Sequence, residues 1–360
     1  MSVSVVIPAY NRAHRLPAAI DSVLQQRCAD VEIVVVDDGS IDDTRSVVGR
    51  YGDAVTYVYQ ANAGVGAARN TGIRHATGNF IAFLDSDDRW HSFKLSAQLA
   101  MFERCPDVGL VFSDFEIEKP GSRSVTHGAS IWAGRELTFP AMTPVTLTRP
   151  AGAAGETWPA ERIEASVGPM YRQLLDELPI LTSSVIVRRS ALTSRTWYAE
   201  CVSVFEDWNF FAQVARDADI GFLNVPTTVQ VGHADPGRLS RCPALERALS
   251  YQMLLERVWL ADASFMEAHG PAARSAYGRA LLTVAREALL DGQLDLARQA
   301  LGSWKASGFG ERQGWAAVYS VCSALPAGPA VLKNVLRGRA LARYVTGSGR
   351  RTYGSVNPAA

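Results

Sequence analysis

Five short runs rich in Val, Ile and Phe recur through the first 115 residues, and this recurrence constrains the chain more than any other feature. They fall at residues 3–7, 31–36, 55–59, 80–84 and 109–112. Runs that are apolar almost without a break belong to strands covered on both faces, and such strands are parallel ones with helices packed above and below. The intervening segments supply those helices. Leu16, Ile20, Val23 and Leu24 follow a helical spacing, and residues 44–51 and 66–76 predict two further helices. The expected architecture is α/β, an open, doubly wound and mostly parallel sheet flanked by helices, with ligands outside the carboxyl ends of the strands.

Beyond residue 115 the pattern dissolves. Residues 116–179 hold seven prolines, several glycines and Thr/Ser clusters, with no sustained period of two or 3.6. So long an irregular stretch is a functional lid or recognition insertion, or is disordered. Order is expected again at residues 180–187, in a helix over 206–215 and in a strand over 220–225. From 243 to 302 the composition shifts to Ala, Leu and Arg at helical spacing (Leu254, Val258; Leu281, Ala285, Leu289). The expected division is therefore one domain over 1–240, built from halves 1–115 and 180–240 around the insertion 116–179, then a helical region over 241–360.

Composition narrows the function classes. Thirty-six basic residues balance thirty-six acidic ones, whereas a protein that gains affinity by neutralising phosphates carries a basic excess, so nucleic acid is not an expected partner. The five cysteines (Cys28, Cys105, Cys201, Cys242 and Cys322) are odd in number, far apart and in no CxxC pair. They are expected as reduced thiols of a cytosolic protein, not as a disulfide framework or a zinc site. Residues 3–7 are too short for the apolar region of a secretory signal, so none is expected. The last 49 residues hold no acidic residue and seven basic ones, Arg312, Lys333, Arg337, Arg339, Arg343, Arg350 and Arg351. Residues 313–332 carry no charge and have the length of a membrane span, but Pro326, Gly328 and Pro329 argue against a stable spanning helix. Peripheral contact with anionic lipid and a packed helical hairpin with a basic tail are the other readings.

Four segments carry the chemistry, each at the end of an expected strand. Pro8-Ala9-Tyr10-Asn11-Arg12 follows the first, and Asp37-Asp38-Gly39-Ser40 the second. Adjacent carboxylates on a tight turn either cap a helix, as Asp42 and Asp43 also can, or accept a hydrogen bond from a ligand. Residues 62–70 lack the third glycine of a dinucleotide loop and follow the third strand, which disfavours hydride transfer. Their small residues permit close backbone approach and put Arg69 within reach of a diphosphate or a carboxylate. Leu84-Asp85-Ser86-Asp87-Asp88 closes the fourth run. Two apart in extended backbone, Asp85 and Asp87 point the same way and suit Mg²⁺ or Mn²⁺, which takes phosphate oxygens as its other ligands. The alternative is a helix start capped by Asp88.

Taken together, VVIPAYNR, VVVDDGS, NAGVGAARNTGI and GNFIAFLDSDD resemble, in that order and spacing, the family 2 glycosyltransferases with a GT-A fold. The resemblance covers residues 3 to about 115 and resumes at LTSSVIVRR (181–189), at Phe205-Glu206-Asp207-Trp208 and at residues 225–233. It implies that Asp38 reads a uracil N–H, with Pro8 and Tyr10 walling the base. Asp85 becomes the ribose-side aspartate and Asp87 the metal ligand, joined by His233 near the diphosphate; Arg69 and Glu206 become substrate-side residues. Asp207 becomes the base that takes the acceptor proton in inverting members. At His233 the flanking Gly232 and Ala234 depart from the family pattern.

The chemistry agrees with that set. A sugar nucleotide brings its own leaving group, so one base at the acceptor hydroxyl and one cation at the departing diphosphate suffice. The expectation is an inverting, Mn²⁺- or Mg²⁺-dependent glycosyltransferase. It takes a nucleotide-diphospho-sugar, a UDP-sugar by the resemblance, and a glycan or lipid-linked acceptor of a bacterial surface polysaccharide. It is expected in the cytoplasm, with peripheral contact at the inner face of the membrane. Two other classes remain open at this point: a non-catalytic nucleotide-sugar binder or assembly partner, and a nucleotidyltransferase, for which PAYNRAHRLP is not the expected basic Gly-rich signature.

Overall fold

The computed structural model describes residues 1–26, 30–118, 125–133, 136–149, 158–202, 204–232, 242–307, 313–325 and 327–336. The chain divides into two compact units, residues 1–202 with 206–236, and residues 203–205 with 237–360.

The first unit alternates strand and helix as its apolar runs predict. Its elements begin β1 (Ser2–Ala9), α1 (Leu16–Leu24), β2 (Asp30–Asp38), α2 (Thr44–Gly49), β3 (Thr56–Gln60), α3 (Val65–His75) and β4 (Phe80–Phe83). A two-residue strand β5 (Arg89–Trp90), α4 (Lys94–Arg104), β6 (Val108–Glu118) and α5 (Gly128–Ala133) follow. Then come β7 (Thr143–Thr148), β8 (Arg162–Gly168), β9 (Ile186–Arg188), α6 (Glu206–Asp217) and β10 (Asp219–Val231). The strands form one sheet in the order β3-β2-β1-β4-β9-β6-β10-β8-β7, with β5 pairing β10.

β1 to β4 run parallel to one another, and β6 runs parallel to β10. β9 is antiparallel to both β4 and β6, so those two point the same way. The carboxyl ends of β1, β2, β3, β4, β6 and β10 therefore share one edge of the sheet, and the amino end of β9 opens there too. Both faces are covered. Val3, Val5, Ile7, Ile33 and Val35 pack into the main core, while Val34 and Val36 pack with Ala68 of α3 on the other face. Gly72 permits that approach, since a Cβ there would lie 2.2 Å from Cγ1 of Val6.

The sequence pattern missed β7 and β8. Strand β7 turns only Val145 and Leu147 of TPVTLT to the core and pairs only β8 among the described strands, and two apolar positions set among threonines make a weak alternation signal. Helix α2 stops at Gly49, short of the predicted end at 51.

In the second unit, α7 (Ala244–Leu255) continues into a π turn at Glu256–Leu260, followed by α8 (Ala263–Leu290), α9 (Leu294–Ala306) and α10 (Gln313–Ala324). Asp262 starts α8 by accepting the amide of Phe265 at 3.0 Å, and the helix kinks at His269, two residues ahead of Pro271. Leu281, Ala285, Leu289, Leu301 and Trp304 form its core. No helix among the described residues is long and apolar enough to cross a membrane.

Candidate active site

The loops at the carboxyl edge are tied to one another before any ligand arrives. Asn11 stands at φ +53, a left-handed conformation Asn tolerates better than most residues. There its amide donates to Ser40 Oγ at 2.9 Å and its Oδ1 accepts from the amide of Ile41 at 2.9 Å. Asp42 accepts from the amide of Ala13 at 3.0 Å and from both donors of Thr44. Asp37 accepts from Ser40 N at 2.8 Å and Tyr57 Oη at 2.6 Å. The first two strand-end loops thus form one surface. Pro8 is buried opposite Val36, past the last β1–β4 pair, where its missing N–H costs no ladder bond. Tyr10 is 48% exposed beside it in the chain.

Asp38 is buried and already engaged. Oδ1 accepts from Gln60 Nε2 at 2.7 Å and from the amide of Ala63 at 2.9 Å, and Oδ2 accepts from the amide of Gly64 at 2.9 Å. A carboxylate offers roughly four acceptor positions, so about one is left beyond the three the loop uses. Asp38 fixes the turn into α3, and what remains of its carboxylate is the part a ligand can meet.

Arg69 is the hub. It is 3% exposed, and its guanidinium donates to Asp85 Oδ1 and Glu206 Oε1, each at 2.7 Å. Of the two partners expected for Arg69, a diphosphate or a carboxylate, the structure shows carboxylates, and they are the protein's own. Gly66 explains how α3 comes close enough, because a Cβ there would lie 3.1 Å from the carbonyl of Ala199. Asn70 adds a second tie, accepting from the amide of Tyr198 at 2.9 Å and donating to its carbonyl at 3.0 Å. Glu206, expected to face substrate, is 4% exposed and is spent on Arg69. Burial, reinforced by the neighbouring charge of Asp207, pushes its carboxyl up to about 7 against the pull of Arg69. The Tyr198 ring lies under the Arg69 guanidinium at 5.2 Å, and its hydroxyl is buried with no hydrogen-bond partner among the described residues.

Asp207 sits in the first turn of α6, where Oδ1 accepts the amide of Trp208 at 2.7 Å and Oδ2 accepts Thr182 Oγ1 at 3.2 Å. Burial pushes its carboxyl above the usual range, with Asp85 adding in that direction and Arg69 opposing. A carboxylate with raised basicity at a strand edge is suited to taking a proton.

Residues 85–88 turn instead of extending. Asp88 N donates to Asp85 O at 3.0 Å, so Asp85 and Asp87 are not related by strand alternation as the spacing predicted. Nor does Asp88 cap a helix. It is buried, accepts from Ser183 Oγ at 2.6 Å and Val231 N at 3.2 Å, and leads into β5. Ser183 Oγ also accepts the amide of Asp85 at 3.1 Å, so the head of β9 shapes the acidic turn. Burial, then the charges of Asp87 and Asp85, holds the Asp88 carboxyl well above the usual range. Three carboxylates meet at this turn, and Arg69 pairs with Asp85. Side chains of this type suit a hard divalent cation, which draws its remaining ligands from water and phosphate. Among the described residues no group of three or more His, Cys, Asp or Glu is arranged to hold a metal by itself. His233 lies outside the described residues.

The structure thus gathers Asp38 at the end of β2, Arg69 of α3, Asp85 after β4, and Glu206 and Asp207 of α6 along one edge. Residues 182–184 escaped the sequence reading as participants, because Ser and Thr in a strand approach carry no signal of their own.

Residues 4–148 match the family described as Glycosyl transferase family 2. An uncharacterized glycosyltransferase of Rickettsia prowazekii is 26% identical over 220 residues, 61% of this chain and 60% of that protein. The UDP-Glc:alpha-D-GlcNAc-diphosphoundecaprenol beta-1,3-glucosyltransferase WfgD of Escherichia coli is 40% identical over 119 residues, 32% of this chain and 46% of that protein. The chain thus spans 60% or less of the length of these relatives. Staphylococcus aureus TarS 1–349, solved in complex with UDP-GlcNAc, superposes with a TM-score of 0.61 over 98% of this chain and 93% of that one, at 16% identity. That likeness establishes the GT-A type of fold.

Proposed function

From the match of residues 4–148 to glycosyl transferase family 2 we propose that the protein moves a sugar, with inversion, from a UDP-sugar to a hydroxyl of a glycan or lipid-linked acceptor. The observation that carries the reading is the buried Arg69 joining Asp85 to Glu206, beside Asp207. It locks the donor-side turn after β4 to the start of α6, so a donor and a base are presented together. Asp207 takes the proton of the acceptor hydroxyl as that oxygen attacks the anomeric carbon. The bond from that carbon to the diphosphate oxygen breaks on the opposite side, and the electron pair leaves with UDP. A single displacement of this kind inverts the centre. Mn²⁺ or Mg²⁺ bound through Asp87, with His233 as a second candidate ligand, would supply charge stabilisation for the departing diphosphate. Pro8, Tyr10 and the remaining acceptor position of Asp38 form the base-side wall.

A relative's name supports the substrate class. WfgD is named for UDP-glucose and for a diphosphoundecaprenol-linked acceptor, which supports a UDP-sugar donor, a lipid-linked acceptor and a part in bacterial surface polysaccharide synthesis at the cytoplasmic side of a membrane. The test is UDP release from a panel of nucleotide sugars, with Mn²⁺ present and after chelation. Release from a UDP-sugar that needs the cation supports the reading. Binding without release in every case makes the protein a nucleotide-sugar binder instead.

A further inference from the structure

The segment after β6 holds a polar centre that the mechanism above does not use. Asp114 is 3% exposed, and its Oδ1 accepts from the amides of Phe115 at 2.8 Å and Ala129 at 3.2 Å. Its Oδ2 meets Nδ1 of His127 at 2.8 Å. A carboxylate only accepts, so the hydrogen is assigned to Nδ1, and Nε2 becomes the acceptor of an imidazole that is 64% exposed. His127 holds φ +61, a left-handed conformation that a glycine would take without strain. Five residues on, in α5, Trp132 is 40% exposed and packs edge-on against Phe115, the residue after Asp114, ring centres 4.8 Å apart. Helix α5 lies so close to Phe115 that a Cβ on Gly128 would stand 2.3 Å from that ring.

Strand register locates this centre. Ala82 pairs with Ile186, and Ile186 with Val111. Asp85 and Asp114 each lie three residues further along strands that point the same way, so they reach the same edge. The strand between them is β9, which puts them two spacings, about 10 Å, apart. Thr182, whose hydroxyl donates to Asp207, stands at the head of that middle strand. Phe115, Ala129 and Leu181 pack as one cluster, so α5 rests on the residue next to Thr182. Capping α5 accounts for one oxygen of Asp114. It accounts neither for the second oxygen, which orients an exposed imidazole, nor for the exposed indole that α5 itself carries.

We propose that His127, oriented by Asp114, and Trp132 form the subsite for the acceptor's terminal sugar ring. An exposed indole offers apolar surface to the C–H face of a pyranose, and Nε2 accepts from one of its hydroxyls. The buried carboxylate fixes the tautomer and the aim of the imidazole, as it does for histidines in other sites. Held so, the ring presents another hydroxyl towards Asp207. The proposal rests on the glycosyl-transfer reading, and its test separates the two.

The assay is UDP release from UDP-glucose with Mn²⁺, in the presence of p-nitrophenyl α- and β-glycosides of glucose, galactose and N-acetylglucosamine, alongside direct titration with UDP. His127→Gly removes the imidazole while suiting the left-handed backbone, His127→Asn keeps a polar tip there, and Trp132→Ala removes the indole. At least one glycoside is expected to accelerate release by the wild type. His127→Gly and Trp132→Ala should each raise its KM about tenfold with kcat within about twofold, His127→Asn should recover part of that loss, and UDP affinity should stay at the wild-type value. An unchanged KM in both variants, or a fall confined to kcat, overturns the subsite. So does a wild type that hydrolyses UDP-glucose but responds to no glycoside, and in that case the donor reading survives. A wild type that neither binds UDP nor releases it removes the glycosyl-transfer reading, and the subsite with it.

Discussion

At the scale of single residues, the site is a contest between burial and pairing. Asp207 accepts a hydrogen bond on each oxygen and is still held above its ordinary range by burial. Asn at this position keeps shape and polarity but cannot take a proton. Asp207→Asn is therefore expected to leave UDP affinity intact and to cut kcat by about a hundredfold or more; lost donor affinity at an unchanged kcat would count against the base. Glu206 gives a pH signature. Its folded carboxyl is pushed up to about 7 from an ordinary 4.5, so the folded state keeps a proton that the unfolded chain has already released. The stability contributed by that proton is full below about pH 4.5 and is lost as pH rises through about 7, on the order of 3 kcal/mol in all. Melting temperature should fall from pH 5 to pH 8, and Glu206→Gln should flatten part of that fall. A slope equal to the wild type's in Glu206→Gln would show that Glu206 is not the group responsible.

Elements bring these residues together by close approach. Helix α3 carries Arg69 and Asn70 and lies on β1 through Gly72, where a Cβ would sit 2.2 Å from Val6. Gly72→Ala must push the helix outward or bend Val6 from its rotamer, at a cost of about 1–3 kcal/mol. Because Arg69 is one turn away, the same change should weaken UDP binding as well as lower the denaturant midpoint. A variant that loses stability and binds UDP normally would show that α3 tolerates displacement without disturbing the hub. Helix α3 was legible in the sequence, as were its small residues. Its tie to Tyr198, 128 positions away through both bonds of Asn70, was not, since a local pattern carries no information about a partner so distant.

For the whole molecule, charge distribution is the remaining argument. The chain is neutral overall, yet its last 49 residues hold seven cations and no anion. Most of those cations, including Arg337, Arg339 and Arg343, lie outside the described residues, and their attraction to lipid follows from composition alone. Anionic headgroups attract basic segments by about 1 kcal/mol per residue near the surface, and salt screens the attraction. Cosedimentation with phosphatidylglycerol vesicles is expected at low ionic strength, with release at high salt and no pelleting with phosphatidylcholine vesicles. Equal pelleting with both lipids, unaffected by salt, would rule out the electrostatic contact.

The sequence by itself determined the parallel half of the sheet, because strands buried on two faces must be apolar throughout, and that requirement is written locally at residues 3–7, 31–36 and 80–84. It also placed Asp38, Asp85 and Asp207 in strand-end or helix-start segments, where turn residues and caps have short-range signatures. Only the tertiary structure decided what those carboxylates touch. Arg69 was expected within reach of a diphosphate or a carboxylate, and the fold supplies two carboxylates of the protein's own, Asp85 and Glu206. Asp88 was expected at most to cap a helix and instead ties the acidic turn to β9 and β10. The antiparallel strands β7 and β8 alternate over only two or three apolar positions each, Val145 and Leu147, then Ile163, Ala165 and Val167, too few to stand out in a stretch rich in proline and threonine. The pairing of Asp114 with His127 has no local signature, because the partner of a buried group depends on residues that meet only when the chain has folded.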